Sequence, residues 1–124
     1  MPPPSVRVIR FSQEAALPER AAAGYELRAL RAVTLESGER AVLPTGIGLE
    51  LPEGMLARVE AHDGLAAQHG VVVLNGVVEP GFLGEINVIL LNAGSEPVDI
   101  RAGDCIAQAV FLKHETLELF FGLQ

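Results

Sequence analysis

The side chains able to do chemistry are concentrated between His62 and Gln108. One stretch reads His62-Asp63-Gly64-Leu65-Ala66-Ala67-Gln68-His69-Gly70, and a second Asn75-Gly76-Val77-Val78-Glu79-Pro80-Gly81-Phe82-Leu83-Gly84-Glu85-Ile86. A third reads Gly103-Asp104-Cys105-Ile106-Ala107-Gln108, and Ala22-Ala23-Gly24-Tyr25-Glu26-Leu27 lies upstream. The carboxylates Glu26, Asp63, Glu79 and Asp104 could converge on a divalent cation, because hard ions take oxygen ligands. They are equally at home as solvated or capping acids. Asp63, just before a helix that opens at Gly64, is a good N-cap and complements the helix's positive end. His62, His69 and His114 match no zinc spacing and read as structural or surface residues. Cys105 is the only cysteine, which excludes an intrachain disulfide and a zinc-cysteine site. In an apolar strand its thiol is a small filler rather than a nucleophile. Arg7, Arg10, Arg20, Arg28 and Arg31 are dispersed, so no basic groove is expected.

These residues must be held by a single domain, since 124 residues can bury a real core but not two. Apolar residues make up 49% of the chain and aromatics 5%, with no Trp, so the core must be aliphatic. With 20% charged residues the composition is globular rather than disordered. The net charge of −7 argues against nucleic acid, which needs clustered Lys and Arg, and against an anionic membrane surface. No apolar stretch reaches membrane-spanning length, and Met1-Pro2-Pro3-Pro4 lacks the parts of a signal peptide. A cytoplasmic protein is therefore expected, or a virion-associated one if the source is a phage.

Short apolar runs separated by turn residues define the elements. Residues 6–11 alternate as a strand, residues 25–30 read as a short strand or extended turn, residues 32–35 lead into the turn at Glu36-Ser37-Gly38-Glu39, and residues 40–43, 47–51 and 56–61 follow as short strands. A single short helix near 64–70 opens at Gly64 and closes by His69. Residues 71–74 are solidly apolar, as for a strand buried on both faces, and residues 76–84 read as a hairpin turning at Pro80-Gly81. Residues 85–92, 98–101 and 105–111 complete the strands. Such spacing indicates an all-β sandwich or barrel. The closing Leu117-Glu118-Leu119-Phe120-Phe121-Gly122-Leu123 is costly to expose and is expected to pack on a partner chain.

The four quoted motifs, in this order and spacing, resemble the dUTP diphosphatase (dUTPase) family over residues 6–111. The likeness rests also on Gly24, Tyr25, Gly64-Leu65-Ala66, Gly84-Glu85-Ile86, Asn92, Gly103-Asp104 and Ala107-Gln108. It implies an all-β, dUTPase-like β-clip or jelly-roll barrel assembled as a homotrimer. Active sites lie between subunits in that family, and dUTP is cleaved to dUMP and pyrophosphate with Mg²⁺. On matched positions, Glu79 would be the catalytic base and Gly76, Val78 and Phe82 would hold the nucleoside. Asp63, Gly64 and Gln108 would face the phosphates, and Glu26 with Gln108 would order Mg²⁺-bound water.

The resemblance also exposes exchanges. The family's Asp is Glu26 in the first motif and Glu79 in the third, and one added methylene displaces each carboxylate by about 1 Å, enough to cost about a hundredfold in rate. In the second motif the family's Arg-Ser is His62-Asp63. A like charge at about 4 Å and an effective dielectric near 20 costs on the order of 4 kcal/mol, so a carboxylate there should repel the phosphates, with no cation left nearby to compensate. The third motif's Tyr-Arg is Phe82-Leu83, the fourth motif's Arg is Cys105, and the glycine-rich fifth motif is absent. A related branch, the dCTP deaminases, carries its catalytic Glu where Ile89 stands, so deamination is not expected. Two functions follow. The first is a homotrimer that has lost dUTP hydrolysis and serves as a structural or interaction module, needing no cofactor and open to an unidentified protein partner. The second is a divergent dUTP diphosphatase using Mg²⁺.

Overall fold

A computed structural model describes residues 4–124; residues 1–3, part of the proline-rich start, lie outside them. The strands are β1 (Arg7–Arg10), β2 (Tyr25–Arg28), β3 (Val33–Leu35), β4 (Arg40–Pro44), β5 (Ile47–Glu50) and β6 (Met55–Ala61). The helix α1 (Asp63–His69) comes next, then β7 (Val71–Leu74), β8 (Val77–Val78), β9 (Asn87–Asn92), β10 (Val98–Ile100) and β11 (Cys105–Lys113). The all-β expectation holds, with one short helix at its predicted place. No described helix is long and apolar enough to cross a membrane.

The strands form four small sheets ordered β1-β5, β10-β3, β2-β11-β6-β8 and β4-β9-β7, every pairing antiparallel. The longest strand, β11, lies between β2 and β6 and so ties the first and second motifs to the fourth. Alternation puts Leu27, Ala57, Val59 and Ala109 into the core and leaves Glu26, Arg58, Glu60 and Gln108 on the other face. A register shift between Cys105 and Ala107 breaks the alternation, so both Ile106 and Ala107 are buried. The core is aliphatic, led by Leu27, Leu35, Ile47, Leu90, Ile106, Val71 and Val88. Fully burying each such side chain is worth about 1.5–3 kcal/mol. Buried Asn92 donates through Nδ2 to the carbonyls of Leu35 (3.0 Å) and Glu96 (2.8 Å), while its Oδ1 accepts from the Gly94 amide (2.9 Å). That closes the loop between β9 and β10 without an unpaired polar group.

Three sequence expectations need correction. Residues 76–84 are not a two-stranded hairpin, because Val77–Val78 pairs with Arg58 and Ala57 of β6 instead of folding back on itself. Strand β9 starts at Asn87 rather than residue 85, since the two preceding residues are committed elsewhere: Glu85 Oε2 accepts from the Gly46 amide at 2.8 Å and the Ile86 amide donates to the Ile47 carbonyl at 2.8 Å. Strand β7 is not buried on both faces, as Val72 is 37% exposed.

Beyond β11 the His114 amide donates to the Gly54 carbonyl at 2.9 Å, and residues 115–124 then run without helix or strand. Leu117, Leu119, Phe120, Phe121 and Leu123 are 77–102% exposed.

Candidate functional site

The third-motif residues build one cleft. Gly76 sits where β8 crosses β6: a Cβ there would lie 2.2 Å from the Val59 carbonyl oxygen, so only glycine lets the strands approach this closely. After β8, Glu79-Pro80-Gly81-Phe82 makes a tight turn. The Phe82 amide donates to the Glu79 carbonyl at 3.2 Å, and Gly81 takes a φ of 88°. Pro at the second turn position and a left-handed Gly at the third are what a type II turn requires, so the predicted turn stands although the hairpin ladder does not. The far end of the loop is pinned at Ile86, whose carbonyl accepts from Thr45 Oγ1 at 2.7 Å. The Phe82 ring lies over Gly84 and is 48% exposed. Between the loop and β9 opens a cleft of about 280 Å³ lined by Asn75, Gly76, Val78, Glu79, Phe82 and Ile89 among others. Gly76, Val78, Glu79 and Phe82 are thus brought together as expected. Ile89 contributes only an apolar wall, where the deaminase branch has its acid.

The first, second and fourth motifs build another cleft, of about 300 Å³. His62, Gly64, Gln68 and His69 line one side, and Arg28, Asp99, Asp104 and Cys105 the other. The helix is capped by His62, not Asp63: His62 Nδ1 accepts from the Leu65 amide at 3.3 Å. The cap moves one residue upstream because the helix already includes Asp63, whose exposed carboxylate sits in the first turn. Asp63 is exposed and is not among the residues lining the cleft, which carries Asp99 and Asp104 instead. At the other end Gly70 takes a φ of 70° and its amide closes the helix.

Glu26 and Gln108 face each other across β2 and β11, and Gln108 faces Glu60 across β11 and β6. Cross-strand partners share a face, so Glu26, Gln108 and Glu60 form a row. The Glu26 carboxylate is ion-paired with Arg28, and Arg28 Nη1 donates to the Gly103 carbonyl at 2.9 Å. Glu60 is paired with Arg58 at 2.6 Å. Arg28 is the cation among the residues lining this cleft, and its charge is already paired with Glu26 and Glu19. Sequence reasoning missed both Arg28 and Glu60. The signal for Arg28 was its place two residues after Glu26 in an alternating strand, which puts both on one face.

Among the described residues no three His, Cys, Asp or Glu side chains are arranged to hold a metal ion, so the four acids do not converge within one chain. Mg²⁺, however, usually keeps several waters and is held by one or two carboxylates with substrate phosphates rather than by a protein cage. One carboxylate and one amide side by side, Glu26 and Gln108, suit an ion of that kind. The Cys105 thiol is pushed up from its ordinary value of 9.0 by burial and then by the Glu26 charge, which keeps it protonated and a poorer nucleophile at neutral pH.

No described residue lines both clefts: Glu79 borders the first and Gly64 the second.

The family model described as dUTPase matches residues 14–123. A protein of Solibacter usitatus named deoxyuridine 5'-triphosphate nucleotidohydrolase is 38% identical over 124 residues, 94% of this chain and 84% of that protein. One of the same name from Beijerinckia indica is 44% identical, covering 89% of this chain and 78% of its own. Among solved structures, the dUTPase of Staphylococcus bacteriophage 80alpha superposes with a TM-score of 0.91 at 23% identity, covering 97% of each chain. A mutant dUTPase from phage phi11 of S. aureus, described as coordinating a structural Mg(II) ion, gives 0.90 at 23% identity; at that identity these two carry the fold alone. The expectation of a module that has lost hydrolysis is overturned by the sequence relatives, which are named as nucleotidohydrolases and match most of both chains.

Proposed function

Since the chain belongs to the dUTPase family, we propose that it hydrolyses dUTP to dUMP and pyrophosphate at sites formed between copies of a homotrimer. The observation that carries the reading is the gathering of Gly76, Val78, Glu79 and Phe82 around one cleft in a chain whose relatives are named for this reaction. The backbone of residues 76–78 reads the uracil edge, and the Phe82 ring packs on the deoxyribose. Glu79, exposed at the rim, takes the proton of the water that attacks phosphorus. The cleft at Gly64 and Arg28 holds the departing pyrophosphate.

Mg²⁺ bound with the substrate would supply charge neutralisation on the phosphates, with Glu26 and Gln108 holding its water shell. Glu26 is kept in position for this by Arg28, and Gln108 by its place between β2 and β6. Joining the two clefts needs the loop of one copy to face the β2–β11 face of another. Two observations support self-association: the clefts share no residue, and the apolar tail is left bare on a lone chain. Burying five such side chains against a neighbour would offset much of the ordering cost of a long arm.

The test is pyrophosphate release from dUTP with Mg²⁺ by the purified protein, with dTTP and dCTP as comparisons. Turnover selective for dUTP is expected. Absence of turnover at substrate concentrations up to the millimolar range would refute the reading.

A further inference from the structure

We propose that the apolar tail of one copy docks as an extended strand in a groove of a second copy, bounded by β1, β2 and the end of β11. The inference rests on the self-association reading and on nothing in the chemistry of either cleft. The groove holds about 550 Å³, more than either cleft, and is lined by Val6, Val8, Leu17, Tyr25, Leu49 and Phe111 among others. No Lys, Arg, Asp or Glu lines it, so its occupant must be apolar. On a lone chain its walls are wet: Val8 is 36% exposed, Tyr25 37% and Leu17 55%.

The tail has the matching pattern. Leu117, Leu119, Phe121 and Leu123 are spaced by two, so an extended backbone sets all four on one face, with Glu118, Phe120 and Gly122 on the other. The large apolar side chains of the tail are 77–102% exposed, whereas no other described one exceeds 60%. The backbones match as well. Strand β1 pairs only with β5, so its other edge offers the N–H and C=O groups that strand addition uses, and residues 115–124 have no ladder of their own. The root of the tail points away from its own groove. Leu112 and Lys113 pair with Leu56 and Met55 of β6, and the His114 amide donates to the Gly54 carbonyl at 2.9 Å. That holds the root on the side of β11 opposite β2, and no tail residue lines the groove. From there ten extended residues reach about 33 Å at about 3.3 Å each, enough to cross to a neighbour. Tail and groove are different patches, so the contact repeats from copy to copy until a ring closes, as a trimer would close it.

Photo-crosslinking of the full-length protein carrying Phe121→benzoylphenylalanine tests the docking. Irradiation should join chains into species of twice the mass or more on a denaturing gel. Mass spectrometry should place the attachment at Val6, Val8, Leu17, Tyr25 or Phe111. Attachment at those residues only in chains of single mass would show a tail folded into its own groove and overturn the proposal. Attachment elsewhere, or none, would leave the groove to another occupant and overturn it too. Val8→Glu puts a carboxylate on an exposed wall and should weaken self-association about 10-fold or more in sedimentation, removing the groove cross-links with it. Should that variant fail to fold, Leu119→Glu, altered at a side chain bare on the lone chain, must have the same effect; unchanged association in a folded variant overturns the docking. A parent that sediments as a monomer refutes the self-association reading itself, whereas one that associates with its tail elsewhere refutes the docking alone. Pyrophosphate release from dUTP is followed on the same samples: groove cross-links between copies without turnover sink the hydrolysis reading and keep this one.

Discussion

Replacing Gly76 with Ala perturbs the candidate active site through one atom. The added Cβ would sit 2.2 Å from the Val59 carbonyl oxygen and 3.2 Å from its carbon, and contacts under 3.0 Å essentially do not occur. The two strands must therefore open by about 1 Å at a point where the Val59 amide also donates to the Gly76 carbonyl. Strand β8 has only two paired residues to resist that movement, so the displacement passes along Val77 and Val78 to Glu79. Overpacking of this kind costs about 1–3 kcal/mol of stability. A 1 Å error in a reacting group costs about a hundredfold in rate, so kcat/KM should fall by about that factor even well below the melting transition. The assay is pyrophosphate release from dUTP, paired with thermal unfolding. Leu35→Ala is the control, a fully buried core residue of β3 whose truncation costs about 2–5 kcal/mol without touching either cleft. Leu35→Ala should lose stability and keep its rate at low temperature. If Gly76→Ala instead retains full kcat/KM, the close approach of β8 to β6 does not set the position of Glu79 and the reasoning fails.

Glu79→Gln removes the proposed base while keeping its length, so kcat should drop by about 10²- to 10⁴-fold with KM for dUTP little changed; a tenfold rise in KM at constant kcat would contradict the role. Cys105 should alkylate more slowly than a free thiol at pH 8, because burial and Glu26 hold it protonated. Its raised value means that the folded state keeps a proton that the unfolded chain gives up. Its contribution is thus fully present below the ordinary value of 9.0 and is lost as pH rises through the folded value. Unfolding followed from pH 8 to 10 should show a decline that Cys105→Ala lacks. Deleting residues 116–124 should leave the unfolding of an isolated chain nearly unchanged, since these side chains are exposed on it. The same deletion should dissociate the proposed trimer in analytical ultracentrifugation; an unaltered sedimentation coefficient beyond the mass removed would argue against tail-mediated association.

Much of the fold was legible because its signals are local. Alternation of apolar and polar residues marked most strands to within a residue or two, though not Val33–Leu35, and Gly and Pro marked the breaks between them. The Pro80-Gly81 turn needed only the φ preferences of those two residues. The misreadings concern pairing, which is not local. Nothing in Val77-Val78 says that it joins β6 rather than folding back, and nothing in Glu85-Ile86 says that residues 45–47 claim its hydrogen bonds. The misjudged phosphate position has the same cause. Motif order placed Asp63 where an anion should rest, but helix α1 carries that side chain outward. Arg28, unremarkable among dispersed arginines, was invisible as a cleft residue until β2 was laid against β11.

By itself the sequence determined the class of fold, the short helix, the turn before Phe82 and the family, because motif order and apolar period are properties of a line of residues. The tertiary structure decided which charges meet. It set Arg28 against Glu26 and beside Gly64, turned Asp63 to solvent, and put Glu79 at the rim of a different cleft. Electrostatic energy depends on distance and on shielding from water, and neither is fixed until strands distant in the chain lie side by side.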